Sequence, residues 1–176
     1  MNRSLGKIVG TLLVVIALSG VTLGGASVVW AQQKAANVKK QILGSWTLVS
    51  VVVEQEGTKR EVYGPNPKGF LSYDRNGHMS LMLLHSNLPR ITSNNRESPT
   101  PEEAAAVARG ILAYYGTYTI DAEGNVIHHI EASSFANWNG ADQKRLITIS
   151  GDELRVTNPT PPLGGGTAYL VFRRAR

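Results

Sequence analysis

The sequence predicts an all-β domain of antiparallel strands with one helix interposed. Three observations carry this. Short runs rich in β-branched and aromatic residues recur between turn residues from Ser45 to Arg174. One stretch alone, opening at Thr100, combines helix-start chemistry with helical spacing. The chain has no internal repeat and no strand–helix–strand alternation. Regular short strands in hairpin order close into a sandwich or an antiparallel barrel.

The chain opens with an export signature. Arg3 and Lys7 give a positive start, Ile8 to Leu18 is almost wholly apolar, and Val29-Trp30-Ala31 supplies small side chains around a cut before Gln32. The same stretch carries no charge from Ile8 to Ala31, long enough for an uncleaved membrane anchor. Gly20, Thr22, Gly24, Gly25 and Ser27 dilute its second half and favour cleavage. The division is then an export segment at residues 1–31, a flexible lead-in at 32–41 and a folded domain at 42–176. The location is periplasmic or secreted, with membrane tethering only if the segment stays.

The 176-residue chain has 18 basic and 13 acidic side chains. Without Arg3 and Lys7 the balance is 16 against 13, a net of +3, which gives no strong pull toward nucleic acid or anionic lipid. There is no cysteine, so disulfides, thiol chemistry and cysteine metal sites are excluded. About 145 residues suffice for one ordinary core.

Ser45 to Glu54 is the first strand, followed by a Gln55-Glu56-Gly57 turn and a short strand ending at Tyr63. Gly64-Pro65-Asn66-Pro67 is a rigid turn. Gly69 to Tyr73 and Met79 to Leu84 are strands joined by the tight turn Asp74-Arg75-Asn76-Gly77. Ser86 to Ser98 is a polar loop. Thr100, Pro101 and Glu103 form a capping box, and Ala104, Val107, Ala108 and Ile111 make a small apolar stripe suited to lying close on a sheet. This helix is expected to end near Tyr114. Strands follow at Gly116–Ile120, Val126–Ser133, Gln143–Ile149, Glu153–Thr157 and Thr167–Arg174.

Strand alternation gives an inner face. Trp46, Leu48, Leu71, Tyr73, Met79, Leu81, Leu83, Tyr118, His128, Arg145, Leu170 and Phe172 fall on it. Met82, Leu84 and several valines break the pattern.

The motifs Leu43-Gly44-Ser45-Trp46, Tyr63-Gly64-Pro65-Asn66-Pro67-Lys68-Gly69, Gly77-His78-Met79-Ser80, Gly116-Thr117-Tyr118, His128-His129-Ile130-Glu131, the Gln143 and Arg145 pair, and Leu170-Val171-Phe172-Arg173-Arg174 occur in order. Together they resemble the bacterial and fungal lipocalin-like domain family over about Ile42 to Arg174. Ala136 and Phe172 depart from its pattern, where proline and tryptophan are usual. The resemblance implies an antiparallel β-barrel of about eight strands with an internal cavity. It also implies that Arg174 packs over Trp46 at the closed end, as a structural pair.

Tyr118 and His128 each lie five residues from the centre of the hairpin at Glu123, which makes them cross-strand partners. A phenol and an imidazole inside an apolar barrel can hold a carbonyl or hydroxyl, move a proton, or satisfy each other. Arg145 needs an acceptor, and no acidic residue falls on the inner face; its partner is a carbonyl, a water or an anionic ligand, unless it stands at the rim in solvent. His128 and His129 point to opposite faces of a strand and make no metal site. No cofactor motif is present, and Gly164-Gly165-Gly166 lacks the strand–helix context of a phosphate loop.

The favoured function is an exported protein holding a small apolar or amphipathic molecule, contacted by Tyr73, Met79, Leu81, Leu83, Tyr118, His128 and Arg145. The Pro101 helix and the Ser86–Ser98 loop would cover the mouth. The alternatives are an isomerase or cyclase using His128 and Tyr118, and an interaction module with a filled barrel.

Overall fold

The computed structural model describes residues 23–176, with side-chain surroundings from residue 29 onward. The charged start and apolar middle of the expected export segment lie outside the described residues. Among these, no helix is long and apolar enough to cross a membrane.

Helix α1 spans Leu23–Ile42. Nine strands follow: β1 Gly44–Gln55, β2 Thr58–Glu61, β3 Lys68–Tyr73, β4 His78–Leu84, β5 Ile111–Ile120, β6 Val126–Ser133, β7 Asp142–Ser150, β8 Glu153–Asn158 and β9 Thr167–Arg174. Helix α2, Pro101–Gly110, stands between β4 and β5. All pairings are antiparallel, in the order β1-β3-β4-β5-β6-β7-β8-β9. β9 pairs back onto β1 from Trp46↔Arg174 to Glu54↔Thr167 and closes an eight-stranded barrel. β2 is the extra strand. It folds onto the end of β1, Val52 to Gln55, beyond the part that pairs with β3. The expected barrel is therefore the observed one.

The inner-face residues named above are all buried. The valines that broke the alternation have a local cause. β1 and β9 shift register between Leu48 and Ser50, a β-bulge that places Val49 outside, 41% exposed, and turns Val51 and Val53 inward. Gly116 serves a different need. A Cβ there would run into the His129 carbonyl, so glycine lets β6 approach β5 closely.

Two elements differ from expectation. Residues 32–41, expected as a flexible lead-in, form the second half of α1. Ala31, Ala35, Val38 and Ile42 are its shielded positions, at helical spacing, and Val38 packs beside Gly124 in the β5–β6 turn. Helix α2 stops at Gly110 rather than near Tyr114, and Ile111 is already extended. The Gly110 carbonyl accepts from the His85 backbone N–H at 2.8 Å, and a side chain at Gly110 would strike Leu88. The chain must enter the barrel there. The capping box is present as read: Thr100 Oγ1 accepts from the Glu103 N–H at 3.2 Å, and Glu103 Oε2 accepts from the Thr100 N–H at 2.9 Å. Its apolar stripe does not lie flat on a sheet; Ala104 and Ala108 are exposed.

The closed end is clasped as the resemblance implied. The Arg174 guanidinium lies 4.0 Å from the Trp46 ring centroid. It also donates to the Leu43 and Gln41 carbonyls at 2.9 and 2.8 Å, and Trp46 Nε1 donates to the Ile42 carbonyl at 2.8 Å. Two side chains thus satisfy carbonyls at the end of α1, where a cation also complements the helix dipole. An Arg174→Ala change is expected to cost about 2 kcal/mol in urea unfolding and to expose α1 to limited proteolysis. An unchanged unfolding midpoint and digestion pattern would contradict this.

Candidate functional site

Large side chains fill the barrel toward the closed end. Tyr73 from β3 and Tyr118 from β5 meet edge to face, with centroids 4.9 Å apart. Met79 from β4 is buried on the same inner face. Toward the other end the interior opens into a cavity of about 510 Å³. Its wall is mainly apolar, including Val51, Leu71, Leu81, Leu83, Val156 and Leu170 from the strands. Around the mouth stand Ala108 and Arg109 of α2, Phe135 before and Trp138 within a 3-10 turn at Ala136–Trp138, and Pro161 to Gly164 of the β8–β9 loop. The Ser86–Ser98 loop contributes no wall residue. Instead Thr92 donates twice to Glu103 Oε1, at 2.9 and 2.6 Å, and braces α2. The barrel is thus not filled throughout.

His128 sits on the cavity wall, 0% exposed, between two tyrosines. Its Nε2 shares a hydrogen bond with the Tyr73 hydroxyl at 2.7 Å, and its Nδ1 one with the Tyr114 hydroxyl at 3.0 Å. Tyr118 does pair with His128 in backbone register, as the hairpin arithmetic predicts. Its hydroxyl nevertheless donates to the Asp74 carbonyl at 2.9 Å, toward the closed end. Burial raises the Tyr73 and Tyr114 phenols and lowers the His128 imidazole well below its ordinary value. The nearby Arg145 charge pulls the two tyrosines the other way and pushes the imidazole further down. All three groups are therefore neutral around pH 7.

Arg145 projects inward from β7 and is 4% exposed. Its Cζ lies 5.4 Å from the Trp138 ring centroid. From Nη1 it donates to the Lys144 carbonyl at 3.0 Å and to Gln143 Oε1 at 3.3 Å. Among the described residues it forms no ion pair. It stands inside the barrel and not in solvent at the rim.

Of the expected ligand-contacting residues, Leu81, Leu83, His128 and Arg145 border the cavity, whereas Tyr73, Met79 and Tyr118 lie beneath it. Tyr114 and Trp138, which the sequence reading leaves off the inner face, also border the cavity. The sequence reading ends the helix near Tyr114, yet Leu112, Tyr114, Gly116 and Tyr118 alternate with period two, the signal that places Tyr114 on a strand. Trp138 lies in a loop, where alternation says nothing. Among the described residues, no group of acidic and histidine side chains has the geometry to hold a metal.

The family model described as lipocalin-like domain matches residues 43–175. A protein of Aspergillus oryzae named 4'-hydroxy-3'-methoxypropiophenone carrier protein is 31% identical over 106 residues, covering 54% of this chain and 96% of that protein.

The neutral His128 makes stability depend on pH. The unfolded chain protonates this ring near 6.5, while burial in the folded protein holds its protonation back to well below that pH. Its contribution is therefore present above that pH and is lost as pH falls below it. Unfolding free energy should drop by up to about 1.4 kcal/mol per pH unit below about 6.5, and a His128→Gln variant should lose that slope. Urea titrations across this range check it; parallel slopes for the two proteins would refute it.

Proposed function

Because the chain belongs to the lipocalin-like domain family, we propose that it is a carrier that binds a small, largely apolar molecule in the open half of its barrel. The observation that carries this reading is the cavity of about 510 Å³, within the range of small-molecule sites, with a mostly apolar wall and a few inward polar groups. The similarity to a protein named as a carrier of a hydroxylated aryl ketone supports it. Leu81 and Leu83 contact the apolar body of the ligand, and His128, Tyr114 and Arg145 orient its polar end. Trp138 and Phe135, whose rings meet edge to face at 5.8 Å, form one side of the entrance.

The isomerase reading draws less support. Both ring nitrogens of His128 are engaged by tyrosines, so proton transfer to a substrate would first break one of these bonds. The filled-barrel reading is disfavoured by the cavity itself.

The proposal includes export. A cut after Ala31 would leave the half of α1 that carries Val38 and the buried Ile42, so the closed end would keep its cover. Mass spectrometry of the protein recovered from its own host should find Gln32 at the N-terminus and the protein outside the cytoplasm. An intact N-terminus in the cytoplasmic fraction would overturn this part.

Calorimetric titration with 4'-hydroxy-3'-methoxypropiophenone and related aryl ketones tests the binding itself. Saturable one-to-one binding is expected, and Leu83→Trp, which fills the cavity, should weaken it about tenfold or more while leaving the circular dichroism spectrum unchanged. Equal binding by the filled variant would place the ligand elsewhere.

A further inference from the structure

The charges on the cavity wall are all of one sign. Arg145 lies within it, and Arg60 and Arg109 stand near its mouth. No aspartate or glutamate lines it. A guanidinium inside a protein ordinarily meets a carboxylate, because an uncompensated charge is costly to remove from water. Arg145, at 4% exposure, meets neutral oxygens alone: those of Lys144 and Gln143, reached from Nη1, and the Tyr114 hydroxyl beside it. The Trp138 ring face offsets part of the charge. Nε and Nη2 make no hydrogen bond to a carbonyl or a carboxylate among the described residues.

A second donor stands close by. A neutral imidazole has one N–H and one lone pair, so one of the two tyrosines donates to His128 and the other accepts from it. Tyr114 lines the cavity and Tyr73 does not. When His128 carries its hydrogen on Nδ1, Tyr114 accepts from it and Tyr73 donates to Nε2. The Tyr114 hydrogen is then free to turn into the cavity. The buried cation and this hydroxyl form a two-point seat for an oxygen anion, inside walls that suit an apolar body.

Building on the carrier reading, we propose that the cavity selects small organic acids and holds them as anions, with the charged oxygen on the Arg145 guanidinium and the Tyr114 hydroxyl. The oxygen is a carboxylate or an ionised phenol. Arg60 and Arg109 raise the local concentration of such anions at the entrance. The seat prefers the ionised form of an acidic phenol, so the phenol loses its proton more readily when bound.

Matched pairs of probes test this with the intact domain. The carboxylate arm compares 4-phenylbutyrate with its methyl ester, and the phenol arm compares 4-nitrophenol with 4-nitroanisole. Each is read by displacement of the neutral fluorophore N-phenyl-1-naphthylamine. In at least one arm the acid is expected to bind about tenfold or more tighter than its neutral partner, and the arm that shows this identifies the oxygen. For a phenol, the ionisation midpoint of bound 4-nitrophenol should shift to lower pH in its visible absorption. Arg145→Gln should erase the preference while N-phenyl-1-naphthylamine still binds. The wild-type comparison decides the matter even if that variant folds poorly. Equal displacement by acids and neutral partners would overturn the anion seat and leave the carrier reading standing. Failure of the fluorophore and of every probe to bind would overturn both.

Discussion

The interior of this protein exists because β9 returns to β1. Without that pairing the eight strands would form an open curved sheet, with Trp46, Leu48 and Phe172 facing water. With it, both faces of the problem are solved together: the edge strands satisfy each other's backbone groups, and the apolar face encloses itself. The Trp46–Arg174 clasp stands at one end of this seam and couples it to the last turn of α1. A domain with no cysteine has no covalent alternative, so noncovalent closure is the feature on which the cavity and the buried polar groups depend.

The buried polar groups divide into two kinds. Tyr73 and His128 are satisfied in a hydrogen-bonded row that ends at Tyr114 on the cavity wall, and Tyr118 is satisfied by the backbone at Asp74. Such groups cost little to bury and hold the strands in one arrangement. Arg145 differs because its charge meets only neutral oxygens and an aromatic face. Burial alone does not separate these cases, since His128 and Arg145 are almost equally hidden. The separation comes from counting partners, and it moves the functional emphasis from the Tyr118–His128 pair to Arg145 and Tyr114.

Most of the architecture was legible in the chain. Period-two alternation identified the inner face from Leu71 to Phe172, the capping box located the start of α2, and hairpin arithmetic gave the Tyr118↔His128 register. The misses share a cause. The end of α2, the bulge at Val49 and the helical state of residues 32–41 are decided by contacts with distant parts of the chain. Gly110 answers to Leu88 and His85, Val49 to the register of β9, and Val38 to the β5–β6 turn.

The amino-acid order alone determined that the domain is built of antiparallel strands in hairpin order, which side of most strands faces inward, and that no acidic residue shares that face with Arg145. These follow from backbone geometry, which assigns faces by parity and needs only local information. Only the tertiary structure decided which hydroxyl each buried ring meets, where the filled part of the barrel ends and the cavity begins, and which loops stand around its mouth. Those depend on barrel stagger and side-chain direction across strands distant in sequence, so Tyr118 can oppose His128 in register and still turn its hydroxyl to Asp74.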